Sequence, residues 1–385
     1  MLKRYLLAPG PTPVPPEALL AMAMPIIHHR TPQFSAIFRA AAEASRRLFG
    51  TEQPVLMLAA TGTGGMEAAV TNTLSAGDRV LVVNGGKFGE RWMEIGETFG
   101  LEVSVVEVEW GRAVEPAQVE RALAKHLDTK AVLVQASETS TTVLHPVAEL
   151  AKLTRDRDCL LIVDGITSVG VVDMPMDETG IDVLVTGSQK AMMLPPGLAL
   201  VAMSEKAWRF QESAGLKRYY FDLAKERKNL EQDTSAYTPA ISMIVGLNAV
   251  FELIESTGGF EEAYRRHRIL SQATRSGVEA LGLSLLAPES PSPATTGVYL
   301  PAGVDGGKFV KYLRDTMGVT VAGGQGKLKG KIVRLAHIGY ADTFDVVVGM
   351  SAMEMALAKF GQDVSFGRGT AAAQQVLMEM YGGAA

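Results

Sequence analysis

From residue 55 to residue 203 the sequence alternates seven short strand-like runs, most of them continuously apolar, with longer stretches of helical periodicity. The runs fall at 55–59, 79–83, 102–108, 131–135, 159–163, 181–186 and 198–203. A strand that is apolar at every position must be covered on both faces. A helix between successive strands supplies the crossover that parallel neighbours require. The alternation therefore predicts an α/β fold, a large domain with a mostly parallel sheet between helices.

After about residue 240 the pattern changes. Helical stretches at 241–255 and 260–281 lead to a strand at 296–300 and a helix at 306–316. Strands at 319–322 and 331–335 and a helix at 344–360 follow, an order that predicts a smaller C-terminal α+β domain. We divide the chain into an extended N-terminal arm (1–16), a large domain (17–255), a small domain (256–361) and a tail (362–385). The arm carries Pro9, Pro11, Pro13, Pro15 and Pro16, which deny it helical hydrogen bonding. The tail is rich in Gly, Ala and Gln and is expected to be loosely held.

Charge narrows the partners. The formal net charge is −5, and no run of Lys and Arg lays down the footprint of a nucleic-acid binder. No apolar stretch reaches membrane-spanning length, and prolines interrupt MLKRYLLAPGPTPVPP before it can form a signal-peptide core. A cytoplasmic enzyme is the expectation. The single cysteine, Cys159, excludes an intramolecular disulfide and reads as an inert core residue. His28 and His29 are adjacent, but no further ligand at suitable spacing makes them a metal site; they read as structural or as lining an entrance.

In an open parallel sheet, ligands sit at the carboxyl ends of the strands. The segment TGTGG (61–65) follows one such end and precedes a helical pattern. Glycine lets backbone N–H groups approach an anion, and a helix N-terminus favours negative charge. The segment is not a Walker loop, since no Gly-Lys-Ser/Thr follows, and dinucleotide spacing fails at Glu67. Asp164 ends the run LLIV, and Lys190 follows VLVTG just before a PPG turn. A carboxylate at the mouth of a buried strand needs a cation or several donors. An amine meant for covalent catalysis benefits from partial desolvation. The bland readings of these three features are a tight turn, a helix cap and a surface lysine. Together they match pyridoxal 5'-phosphate, which needs an anion cradle, a carboxylate for its protonated ring nitrogen and an amine for covalent attachment.

The ordered motifs TGTGGMEAAV, NGGKFGERW, VDGITSVG, TGSQKAMMLPPG and KIVRLAHIG make the resemblance specific. The chain resembles the class V aminotransferases of fold type I, in the branch of serine–pyruvate, alanine–glyoxylate and serine–glyoxylate aminotransferases. The likeness runs from APGPTPVPP to about Phe360. It implies the PLP-dependent transferase fold, a seven-stranded type of sheet and a homodimer with active sites at the interface. It also implies that Lys190 forms the Schiff base and shuttles the proton, while Asp164 pairs with the pyridinium nitrogen. Thr61, Gly62 and Thr63 would hold the phosphate with help from Gln189. Phe88 falls where the family stacks an aromatic ring on the cofactor, and Thr139 where a hydroxyl bonds near the ring hydroxyl. Arg334 matches the arginine for the substrate α-carboxylate. Tyr237 and Thr238 match the region that completes the phosphate site of the partner subunit.

The implied reaction moves an amino group from alanine or serine to a 2-oxo acid such as glyoxylate or pyruvate. No second arginine stands out in the sequence as a clamp for a distal carboxylate, which favours small neutral donors. Another PLP reaction on the same fold, a lyase step or a desulfuration, is the alternative. Its desulfurase form is disfavoured because Cys159 is the only thiol. A non-catalytic accessory subunit would need none of Lys190, Asp164 and Arg334.

Overall fold

The computed structural model describes residues 2–382. The chain opens with the two-residue strand β1 (Tyr5–Leu6), followed by helices α1 (Pro16–Ala23) and α2 (Pro32–Phe49). Pro16, the last of the arm's prolines, is the first residue of α1, where a missing N–H costs nothing. Strand β2 (Val55–Leu58) leads into α3 (Gly62–Thr73), β3 (Arg79–Asn84) into α4 (Lys87–Thr98), and β4 (Glu102–Glu107) into α5 (Pro116–Lys125). Strand β5 (Thr129–Gln135) runs into a small hairpin of β6 (Ser137–Glu138) and β7 (Val143–Leu144), and α6 (Val147–Thr154) follows. Then come β8 (Leu160–Asp164), α7 (Met176–Thr179), β9 (Val183–Gly187), β10 (Ala199–Met203), α8 (Glu205–Ser213) and α9 (Leu223–Leu230). Helices α10 (Ile241–Ser256) and α11 (Gly259–Ala280) lead to β11 (Thr295–Tyr299) and α12 (Gly306–Asp315). Strands β12 (Val319–Thr320), β13 (Ala322–Gly323) and β14 (Ile332–Ala336) precede α13 (Thr343–Lys359) and α14 (Arg368–Leu377).

The large sheet has seven strands in the order β2-β10-β9-β8-β5-β3-β4. Only β10 runs antiparallel to its neighbours, β2 and β9; the remaining pairs are parallel. One buried cluster fills each face of this sheet, which is why its strands are apolar at nearly every position. The α/β architecture expected from the sequence is therefore the one observed. A third buried cluster lies between the three-stranded sheet β11-β14-β13 and helices α11 to α14.

Two differences from the sequence reading matter. The helix expected from residue 66 begins four residues earlier, at Gly62. Its glycines are required by packing: a Cβ on Gly62 would lie 2.4 Å from Ile166 Cδ1, and one on Gly65 2.6 Å from Val185 Cγ1. The tail, expected to be loose, instead holds a packed helix over Arg368–Leu377. Glu354 of α13 is 3% exposed and accepts from the N–H groups of Gly367, Gly369 and Thr370, which caps α14. Gly369 lies against Gly277 of α11, each close to the other's carbonyl, and Ala373 and Leu377 are buried beside them. The small residues that make this segment look loose are what allow its close approach.

The arm reaches across the molecule. Strand β1 pairs in parallel with β12, Leu7 donates to Thr320 O at 2.8 Å, and Ala336 at the end of β14 donates to Leu7 O at 2.9 Å. Beyond Leu7 the arm continues to the carboxyl ends of β8 and β9. No single helix among the described residues is long and apolar enough to cross a membrane.

Candidate active site

The parallel register sets Asp164, the last residue of β8, beside Gln135 of β5 and Val185 of β9. Lys190 follows three residues after the end of β9. Both side chains line a cavity of about 290 Å³ whose wall also includes Gly10, Thr63, Phe88, Arg91, Thr139 and Gln189.

Asp164 is 4% exposed. Its Oδ1 accepts from the Ile166 N–H at 2.8 Å, and its other oxygen has no hydrogen-bond partner among the described residues. Burial pushes the carboxyl up to about 7, with the nearby Glu138 adding to the effect and the Ile166 N–H, Arg91 and Lys190 opposing it. Lys190 is half-buried, and its surroundings lower the amine to about 8. Desolvation is the main cause; Asp164 opposes it, and Arg334 and Arg91 reinforce it. Lys190 Nζ donates to Pro9 O at 2.6 Å. The arm can pass this close because residue 10 is glycine at φ +148°, where a Cβ would lie 2.4 Å from Nζ.

Helix α3 starts at the cavity. Thr61, its N-cap residue, is exposed and makes no side-chain cap bond. The N–H groups of Gly62, Thr63 and Gly64 find no acceptor among the described residues; the helical bonding begins with Gly65 N–H to Thr61 O at 3.2 Å. Oε1 of Gln189 is likewise buried without a partner.

On the other side, Glu138 is fully buried and organises two segments. Its Oε2 accepts from the N–H groups of Phe88 and Gly89 at 3.0 and 3.1 Å, holding the start of α4. Its Oε1 accepts from Ser140 N–H at 3.1 Å. Burial raises this carboxyl above its ordinary range. Thr167 donates its hydroxyl to Ser137 O at 2.9 Å, so in the 2.8 Å pair between Thr139 and Thr167 the donor is Thr139. Arg334 on β14 is 5% exposed. Its Nε donates to Gly323 O at 3.1 Å and its Nη1 to Thr139 O at 2.8 Å, and its Nη2 has no partner among the described residues. Desolvation lowers this guanidinium to about 10, with Glu138 opposing.

Tyr237 and Thr238 stand outside this cavity. The Tyr237 hydroxyl donates to Tyr219 O at 2.7 Å, its ring stacks on Tyr220, and Thr238 is exposed. His28 and His29 stack on each other at 4.7 Å before α2. Cys159 is buried at the opposite end of β8 from Asp164, and burial pushes its thiol up to about 12, far from nucleophilic chemistry. Three contributors escape the sequence reading: Glu138, Arg91 and the Pro9–Gly10 backbone. An acidic residue three positions past the end of a buried strand signals Glu138, and Arg91 stands one helical turn from Phe88 in the same motif.

The profile described as Aminotransferase class-V matches residues 4–337. The chain belongs to this family. As a class V aminotransferase it is a transaminase of fold type I that depends on pyridoxal 5'-phosphate. It is 40% identical to the soluble hydrogenase small subunit of Synechococcus sp., covering 97% of this chain and 98% of that protein. It is 37% identical to the L-aspartate–glyoxylate aminotransferase of Paracoccus denitrificans, covering 95% and 94%. Among solved structures it is similar to the ureidoglycine–glyoxylate aminotransferase of Bacillus subtilis, with a TM-score of 0.93, 29% identity and 98% of both chains covered.

The residues of this class V aminotransferase fit the parts of its cofactor. A raised carboxyl with one free oxygen suits a protonated ring nitrogen, and an amine lowered by burial suits covalent attachment. Three unpaired amides at the start of a 12-residue helix suit a phosphate.

Proposed function

We propose that the enzyme moves the amino group of a small neutral amino acid, L-alanine or L-serine, to a 2-oxo acid such as glyoxylate or pyruvate. The observation that carries this reading is that Lys190 and Asp164 share one cavity whose wall, at Thr139, is bonded to Arg334. Arg334 has one Nη1 hydrogen and both Nη2 hydrogens left after its two carbonyl bonds. That edge can grip the α-carboxylate carried by every amino acid. The Paracoccus and Bacillus relatives are both named for glyoxylate, which supports a small acceptor.

When bound, pyridoxal phosphate supplies an electron sink for the pair left on the substrate Cα. Lys190 takes the Cα proton on Nζ and delivers it to complete the half-reaction. Its lowered pKa, about 8, keeps a share of the amine neutral near pH 7 and so able to accept. The free oxygen of Asp164 holds the proton at the ring nitrogen. Thr61, Gly62, Thr63 and Gln189 hold the phosphate, and Phe88 packs on the ring. Thr139, whose proton is committed to Thr167, offers a lone pair near the ring hydroxyl. In a homodimer Tyr237 and Thr238 complete the phosphate site of the partner subunit. The enzyme works in the cytoplasm.

The test is the visible spectrum of the purified protein while L-alanine, L-serine, glycine and L-aspartate are added singly. Bleaching of the lysine-bound cofactor band by alanine or serine is the expected result. Bleaching by aspartate alone would shift the donor to a dicarboxylic acid. The Synechococcus relative's name favours a second reading, an accessory subunit of a larger assembly. A protein that never acquires the band would move that reading forward.

A further inference from the structure

Arg91 lies one turn after Phe88 on α4, so the two side chains leave the helix on one face. Its guanidinium carbon is 4.8 Å from the Phe88 ring centroid, and Nη1 donates to Thr63 Oγ1 at 3.2 Å. No carboxylate lies within salt-bridge distance of it among the described residues. Yet it lines the same cavity as Lys190 and Asp164. Thr63 is the second residue of α3, whose opening amides are unpaired. An unneutralised guanidinium and the positive end of a helix therefore converge on one point. Two positive groups held together call for an anion between them.

We infer that Arg91 is a binding residue for the cofactor phosphate, clamping it from α4 opposite the α3 amides while it braces the ring of Phe88. This rests on the reading that the α3 start holds the phosphate. It also gives Arg91 an occupation other than gripping a distal carboxylate, in keeping with a small neutral donor.

The test compares the full-length apoprotein with its Arg91→Gln and Arg91→Lys variants. Affinities for pyridoxal phosphate and for pyridoxal, which lacks the phosphate, are measured by spectral titration, and the bound phosphate is followed by phosphorus NMR. Arg91→Gln should weaken pyridoxal phosphate on the order of tenfold to a hundredfold, the range for a lost charge-assisted hydrogen bond. It should leave pyridoxal within about twofold, since no charge-assisted bond to that ligand is lost. Arg91→Lys should recover much of the loss, and the phosphorus resonance should move in the Gln variant. Equal losses for both ligands would overturn the inference in favour of packing through Phe88. Unchanged affinity for pyridoxal phosphate with a higher KM for a dicarboxylic donor would overturn it in favour of a substrate clamp. If the wild-type apoprotein binds no pyridoxal phosphate, the cofactor reading itself fails, an outcome distinct from both.

Discussion

The backbone N–H of Gly339 donates to Nε2 of His267 at 3.0 Å, and this bond backs the active-site lysine from a helix outside the large sheet. Gly339, at φ +75°, leaves no room between itself and Lys190: a Cβ there would sit 2.8 Å from Lys190 O and 3.1 Å from Thr12 Oγ1. Its carbonyl accepts from Arg266 Nη2 at 2.9 Å, so α11 holds Gly339 through both its backbone groups. Thr12 Oγ1 itself donates to Lys190 O at 3.0 Å. His267 is therefore expected to position Lys190 through Gly339. His267→Ala is expected to lower kcat more than it raises KM, and His267→Gln, which keeps an acceptor, to recover part of kcat. Loss of stability alone, with kcat and the pH profile unchanged, would show that α11 does not set the lysine.

His145, His267 and His337 are all buried and held well below the ordinary imidazole range, His145 at about 4 and the other two at about 3. Desolvation is the leading cause for each. The unfolded chain therefore binds protons at these sites before the native protein does. Their contribution to stability is complete above about pH 6.5 and is lost as pH falls toward 4 and below. Thermal unfolding followed from pH 7.5 to 4.5 should show a falling Tm. His→Gln at one of these positions should flatten that slope. A Tm that stays level across the range contradicts the prediction.

Asp164 presents the opposite sign. Its folded-state pKa is raised, so the contribution of its protonated form is present at low pH and disappears as pH rises through about 7. In the apoprotein at pH 8, Asp164→Asn should raise stability, on the order of 2–4 kcal/mol from the size of that shift. Amino transfer should fall by on the order of a hundredfold or more, since a neutral amide cannot hold a proton at the ring nitrogen. Denaturant titration of the apoprotein and single-turnover kinetics of the holoprotein read the two effects separately. A variant that loses both stability and activity would mean Asp164 is structural.

Gly10→Ala probes the arm. Its Cβ would collide with Lys190 Nζ at 2.4 Å, and φ +148° is strained for any residue with a side chain. The variant is expected to lose roughly tenfold or more of kcat, as misplaced reacting groups do, while phosphorus NMR of the bound cofactor stays unchanged. Wild-type kcat would show that the arm merely covers the site.

The large sheet is legible in the sequence because burial on both faces leaves a dense apolar pattern, and a polar residue at the end of such a run stands out. Asp164 and Lys190 stand out for that reason. Glu138 is harder to read, since the amides it holds at Phe88 and Gly89 are distant in sequence. Arg91 stays silent because surface helices carry many arginines, and only the cavity distinguishes this one. The tail misleads because its Gly and Ala content fits a loose segment and a tightly crossed helix equally well. The contact between Gly277 and Gly369, remote in sequence, decides between them.

The pairing of β1 with β12 sets an order on the birth of the protein. Residues 5 and 6 leave the ribosome long before their partners, residues 319 and 320. Leu7 likewise waits for Ala336, and only then is the stretch that meets Lys190 anchored at both ends. The large sheet can assemble during synthesis, but its lysine acquires the Pro9 carbonyl only after most of the chain has been made. The nascent chain thus carries an incomplete catalytic centre until residues 319–336 have emerged.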